Sequence, residues 1–232
     1  MAAPALNPTG LAPARAPMHV RTDRPQTLGE EIANAISHGA GCLLAVASLP
    51  LLVGRALQRG GAAEVVAASI FAATMIVLYG VSTLYHALPR GRAKHWFNRL
   101  DHAAIYLFIA GSYMPYLLGV LRGAWGWTLF GIVWSAASFG IVGKLFNRLR
   151  HPWWSTGLYV ALGWVALIAV APLVERLPGA GLAWLVAGGL SYTLGAVVFM
   201  LDHRVRYAHF VWHLFVMGGS ACHVVAVLWA GG

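Results

Sequence analysis

Seven stretches of the chain are apolar for about the 20 residues a helix needs to cross the hydrocarbon core of a bilayer, with short polar connections between them. They run from Ile36 to Val53, Val65 to Leu88, Leu100 to Leu121, Ala124 to Phe146, Trp153 to Val174, Leu182 to Leu201 and Ala208 to Ala230. The pattern predicts an all-α integral membrane protein, a bundle of seven transmembrane helices. Gly and Ala recur in several spans, which suits close helix packing in lipid. Pro50 and Pro115 fall inside the first and third spans and are expected to kink them. No strong internal repeat relates one helix to another.

The first 27 residues break this pattern. Pro4, Pro8, Pro13, Pro17 and Pro25 are spread among Ala and Arg with no apolar run, the composition of a disordered tail. The tail lacks the continuous hydrophobic region of a secretory signal. The expected organisation is a tail over residues 1–27 and one seven-helix domain over residues 28–232.

Composition agrees with a chain dissolved in lipid. Of 232 residues, 59% are hydrophobic and only 10% charged, against roughly a quarter charged in soluble domains. The formal charge of +9 carries no aromatic-basic module, so nucleic acid is not an expected partner; membrane lipid is. The basic residues orient the bundle instead. With the N-terminus inside, Arg15, Arg21, Arg24, Arg90, Arg92, Lys94, Arg99, Lys144, Arg148, Arg150, Arg204 and Arg206 are cytoplasmic, twelve of the sixteen. Arg55, Arg59, Arg122 and Arg176 fall on the other side. The asymmetry selects a multi-pass protein of the cell membrane with its N-terminus in and its C-terminus out. Trp125, Trp127, Trp153, Trp154 and Trp229 lie near the span ends, as interfacial aromatics do. Cys42 and Cys222 sit inside apolar runs and form no disulfide framework.

Ionisable groups inside a span are costly, and each is a functional candidate. His86 ends the second helix, Asp101 and His102 begin the third, and His209 and His213 begin the seventh, so all five share one depth near the cytoplasmic face. His209 and His213 are four residues apart and lie on one helix face; Ser82 and His86 share the same spacing. Three histidines with a fourth position open form the ligand set of a catalytic zinc. Asp101 is then placed to accept a proton from water at that position, and Ser82 to hydrogen-bond the water or a substrate oxygen.

Each residue also has a plainer reading. The histidine pair can be interfacial and unliganded, His86 can sit among headgroups, Ser82 can bond back to its own helix, and Asp101 can cap a helix or balance Arg99. Common depth and spacing favour the joint site. His102 points away from Asp101 and is expected beside the ligands or at the interface. His223 lies about 15 Å further along its helix than His213, too far for the same ion, and reads as a hydrogen-bonded core or cavity histidine. Glu31, Asn34 and His38 fall on one face of the first helix and are expected to line the cytoplasmic mouth, or to serve capping and solvation.

Glu31-Ile-Ala-Asn34-Ala-Ile-Ser-His38, Ser82-Thr-Leu-Tyr-His86, Leu100-Asp101-His102, and His209-Phe-Val-Trp-His213 followed by His223 together resemble the hemolysin-III family. That family is the bacterial branch of the progestin and adipoQ receptor family. The resemblance covers residues 28–232. It implies seven helices with the N-terminus inside, zinc on His86, His209 and His213, and Ser82 and Asp101 beside the metal. Receptor relatives and the related alkaline ceramidases imply hydrolysis of lipid amides or esters. A receptor-like sensor with a structural zinc is the alternative. A pore-forming cytolysin has less support, because the outer halves of the helices carry almost no ionisable group to line a lumen. Neither the substrate nor the oligomeric state is legible.

Overall fold

A computed structural model describes residues 24–59, 61–149 and 151–230; the greater part of the expected tail, residues 1–23, lies outside them. Among the described residues the secondary structure is entirely helical: α1 (Leu28–Arg59), α2 (Ala62–Ala87), α3 (Arg92–Met114), α4 (Ala124–Leu145), α5 (Pro152–Gly163), α6 (Val170–Arg176), α7 (Gly179–Phe199) and α8 (Ala208–Trp229). A π-helical turn, Pro115–Val120, extends α3, and a 3-10 turn, Trp164–Ala169, joins α5 to α6. Counting each extended helix once, seven helices among the described residues are long and apolar enough to cross a membrane.

α1 and α3 outrun their apolar cores at the histidine-bearing end. α1 begins eight residues before Ile36, because Thr27 and Glu30 form a reciprocal capping pair. The Thr27 amide donates to Glu30 Oε2 at 2.9 Å, and the Glu30 amide to Thr27 Oγ1 at 3.4 Å. Pro50 sits within an α1 that runs unbroken to Arg59. At Pro115 the ladder does change, from α to π, since proline cannot donate to the turn before it.

Neighbouring helices close a circuit: α1 on α2, α2 on α3, α3 on α4, α4 on α5, α5 on α7, α7 on α8, and α8 back on α1. The outward surface is apolar, with Leu43 73% and Phe139 66% exposed. Asn34, Ser37, His38, Ser82, His86, Asp101, His209 and His213 are buried instead. Apolar side chains outward and polar groups within is the arrangement a bilayer requires. Trp127, Trp153 and Trp154 are exposed near helix ends, where ring and indole N–H meet the interface.

Polar ties fix the circuit. Tyr79 donates to Ser220 Oγ at 2.7 Å, and Tyr192 pairs with the same oxygen at 3.1 Å, joining α2, α7 and α8. The break between α5 and α6 frees backbone groups at membrane depth. Tyr113 of α3 takes them up: its hydroxyl donates to the Leu162 and Gly163 carbonyls and accepts from the Ala166 amide. Gly41 admits the Tyr79 ring so closely that a Cβ there would lie 3.0 Å from it, which draws α1 onto α2.

Candidate metal centre

His86 of α2 and His209 and His213 of α8 lie at the ends of their helices nearest the α1 N-terminus. Because α1 lies between them in the circuit, the three rings meet against its first turns. His86 is 5.0 Å from His209 and 5.2 Å from His213, ring centre to ring centre, and His209 is 4.8 Å from His213. All three are buried, His213 completely, which removes the reading of wet, interfacial histidines. Among the described residues they form a group able to hold a metal ion, with ligand atoms within 4.8 Å of one another.

The hydrogen bonds decide which nitrogen each ring offers. His86 Nδ1 lies 2.8 Å from Glu31 Oε2, and His209 Nδ1 lies 3.0 Å from Asp202 Oδ2. A carboxylate accepts, so the ring proton sits on Nδ1 in both. His213 Nδ1 lies 3.0 Å from Ser37 Oγ, whose own proton goes to the Asn34 carbonyl at 2.9 Å. The hydroxyl must therefore accept, and His213 too is protonated on Nδ1. The three Nε2 atoms keep their lone pairs, and all three are buried without a hydrogen-bond partner. Buried acceptors are normally satisfied. Three that are not, within one small volume, fit a cation held by imidazoles whose outer nitrogens are anchored, the usual arrangement behind metal-ligating histidines.

Glu31 does more than line a mouth. Besides His86 it meets Lys94 Nζ at 2.9 Å, and that ammonium also caps α2 through the Tyr85 and Leu88 carbonyls. Asn34 donates from its side-chain amide to Gln26. Gln26, Thr27 and Arg24, whose guanidinium pairs with Glu30, pack residues 24–27 against the bundle rather than leaving them in a free tail. Glu30 also accepts from the Tyr207 amide at 2.9 Å. That bond fixes the left-handed turn at Tyr207, from which α8 starts. His38 stacks on His213 with ring centres 3.4 Å apart, and neither of its nitrogens has a partner.

Ser82 is buried with its hydroxyl unpartnered, so it does not bond back to its helix. Asp101 is buried inside α3 rather than at its end, and Arg99 stacks over Trp96 instead; neither a cap nor a counter-ion describes it. A cavity of about 220 Å³ begins at His38, Asp101 and His102 and runs past Tyr192 to His223 and Leu182. Its lining is overwhelmingly apolar, and it reaches Asp101 and His38 but not the three clustered histidines. His102 lines it while bonding through Nδ1 to the Asn98 carbonyl at 2.8 Å. His223 also lines it, with its ring edge-on to that of Tyr192, centres 5.2 Å apart.

Ser37 and Asp202 are the site residues that sequence reasoning missed. Asp202 lies in the loop before α8, outside any span, where a carboxylate raises no suspicion. Its seven-residue separation from His209 is bridged only because the chain turns at Tyr207. Ser37 is an ordinary helical serine until its neighbour across the bundle is known.

Residues 26–224 match the family described as "Haemolysin-III related". The chain is 44% identical over 207 residues to "Hemolysin-3" of Bacillus cereus, an alignment covering 89% of this chain and 94% of that protein. It is 30% identical over 203 residues to the human "Monocyte to macrophage differentiation factor", covering 82% of each. It is 23% identical over 219 residues to the "Adiponectin receptor protein" of Drosophila melanogaster, covering 83% of this chain and 49% of that one.

Proposed function

Because the chain belongs to the haemolysin-III-related family of membrane proteins, we propose that it is a zinc-dependent hydrolase acting on a lipid amide or ester. The single observation behind this reading is the trio of buried, unpartnered Nε2 atoms on His86, His209 and His213. Zinc bound there supplies Lewis-acid polarisation of a carbonyl and a water nucleophile near neutral pH.

The chain's own groups do the rest. Glu31, Asp202 and Ser37 hold the three imidazoles in one tautomer and one orientation. Asp101 takes a proton from the attacking water and returns it to the leaving amine or alcohol, so an amide and water yield an acid and an amine. The Ser82 hydroxyl, which no backbone group claims, donates to the carbonyl oxygen as charge builds there. The apolar cavity next to Asp101 takes the acyl chain and keeps bulk water away.

A receptor-like sensor with a structural zinc is the second reading. It is favoured by the cavity's stopping at Asp101 and His38 without reaching the three ligand histidines. The cytolytic activity in the printed name of the Bacillus cereus relative has less support, since a cavity this apolar is a poor aqueous lumen.

Asp101→Asn separates the first two. It keeps the side chain's size and removes the proton acceptor. On the hydrolase reading the variant keeps its zinc and its thermal stability but loses turnover by about 10²-fold or more. Zinc content and lipid-amide hydrolysis are measured on the same sample. Unchanged hydrolysis, or none by the wild type across a broad amide and ester panel, puts the sensor reading ahead.

A further inference from the structure

Where α2 passes to α3, the chain carries Arg90, Arg92 and Lys94, and they face different ways. Arg90 and Arg92 are exposed, whereas Lys94, in the first turn of α3, is turned inward with its side chain only 14% exposed. Drawing an ammonium out of water is costly unless its donors are matched. Here all three are. Lys94 Nζ meets Glu31 Oε1 at 2.9 Å and donates to the Tyr85 carbonyl at 3.0 Å and the Leu88 carbonyl at 3.1 Å, with the His86 carbonyl further off at 3.5 Å. The ammonium also lies 4.8 Å from the centre of the Tyr85 ring. One side chain of α3 thus joins α1 to the end of α2.

Helix capping accounts for the carbonyl contacts, since the last carbonyls of α2 have no partner within their own helix. It does not account for Glu31. A lysine that only caps needs no carboxylate, and its flexible stem lets it keep the ammonium in water. Glu31 is no ordinary counter-ion either, because its other oxygen, Oε2, accepts the His86 Nδ1 proton at 2.8 Å. The terminal torsion of a glutamate is broad, so a carboxylate held at one oxygen only can turn about its last bond. With Oε1 fixed on Lys94, that turn is blocked and Oε2 stays on the imidazole. Lys94, Glu31 and His86 form one continuous chain from the α3 N-terminus to the cluster. Its inner end, the His86 side chain, is 1% exposed, where solvent and salt screen the contacts little.

We propose that Lys94 is a positioning residue of the metal centre: it fixes the Glu31 carboxylate and, through it, the ring of His86, so that His86 Nε2 stays aimed at the ion. Groups behind a metal-bound histidine set its orientation and affinity, and Lys94 extends that support one residue further out. Lys94 lines no part of the apolar cavity, and its effect on the metal passes through Glu31. The proposal rests on the reading of His86, His209 and His213 as ligands of one metal. It does not need the hydrolase chemistry and holds for a catalytic and a structural metal alike.

The test is a double-substitution cycle on the detergent-purified full chain, with zinc Kd, read by chelator competition, and Tm as readouts. Lys94→Met should weaken zinc about tenfold, the scale of one charge-assisted hydrogen bond. Lys94→Arg, which keeps a charged donor, should recover most of that loss. In the Glu31→Gln background the same Lys94→Met change should cost less than about twofold, because the carboxylate it orients is gone. In the Asp202→Asn background it should still cost about tenfold, since Lys94 and Asp202 share no partner. Loss of the α2 cap lowers Tm to a similar extent in every background, so weakened packing cannot imitate this pattern in Kd. Wild-type zinc affinity in Lys94→Met, or an equal loss with and without the Glu31 carboxylate, overturns the role of Lys94 and leaves the metal centre standing. Wild-type protein that binds no zinc overturns both.

Discussion

Each histidine of the cluster is held from behind by its own partner, two of them carboxylates and one a hydroxyl, and this makes the cluster testable one residue at a time. Glu31→Gln and Asp202→Asn leave the Nε2 atoms in place but loosen the tautomer and the ring orientation. Each should weaken metal binding by about 10- to 100-fold, the range found for such supporting groups, as read by competition against a graded series of chelators. Ser37→Ala should cost less, because it removes a neutral hydrogen bond. Chelator competition indistinguishable from wild type in all three would mean that the rings are oriented by packing alone. The three clustered histidines and Asp101 were legible in the sequence because a histidine or carboxylate inside a span is expensive and therefore conspicuous. Asp202 was not, since a loop carboxylate costs nothing until folding brings it 3.0 Å from His209. Glu31 was visible as a candidate, but its partner was not: the contact with His86 spans 55 residues of sequence.

At the scale of elements, the α1–α2 contact sets where His86 and His213 meet. Tyr79 packs into the space left by Gly41 and turns its ring edge to His38, with centres 5.0 Å apart; His38 in turn stacks on His213. Gly41→Leu should force the helices apart and lower stability by about 1–3 kcal/mol, as overpacking does, together with some loss of metal. Gly54→Ala is the control: nothing lies within 4 Å of a Cβ there, and relief of glycine's entropy should leave Tm unchanged or raise it. Thermal unfolding in one detergent compares the two, and equal Tm values would remove the close contact from the account. Helix existence followed from apolar length alone. The extra turns of α1 did not, because a capping pair before a polar turn carries no hydropathy signal. The split of the fifth span was partly hidden. Pro172 marks a defect in the turn before it, since it cannot donate to the Ile168 carbonyl, but the partner that stabilises the break, Tyr113 of a distant element, leaves no local signal.

The whole molecule is a closed circuit of helices with a polar, histidine-rich interior at one end. Its orientation in the membrane rests on the distribution of Lys and Arg. A reporter inserted after Arg90 should be active only in the cytoplasm, and one fused to the C-terminus only outside it; the opposite pair of results would reverse the orientation and move the histidines to the other leaflet. The account turns on the claim that His86, His209 and His213 together hold one metal ion. Elemental analysis of protein purified in detergent without chelators tests it most directly. The account predicts about one zinc per chain in the wild type and a near-complete loss in His209→Ala and His213→Ala. Wild-type protein without stoichiometric metal, or either variant with its metal intact, would contradict it.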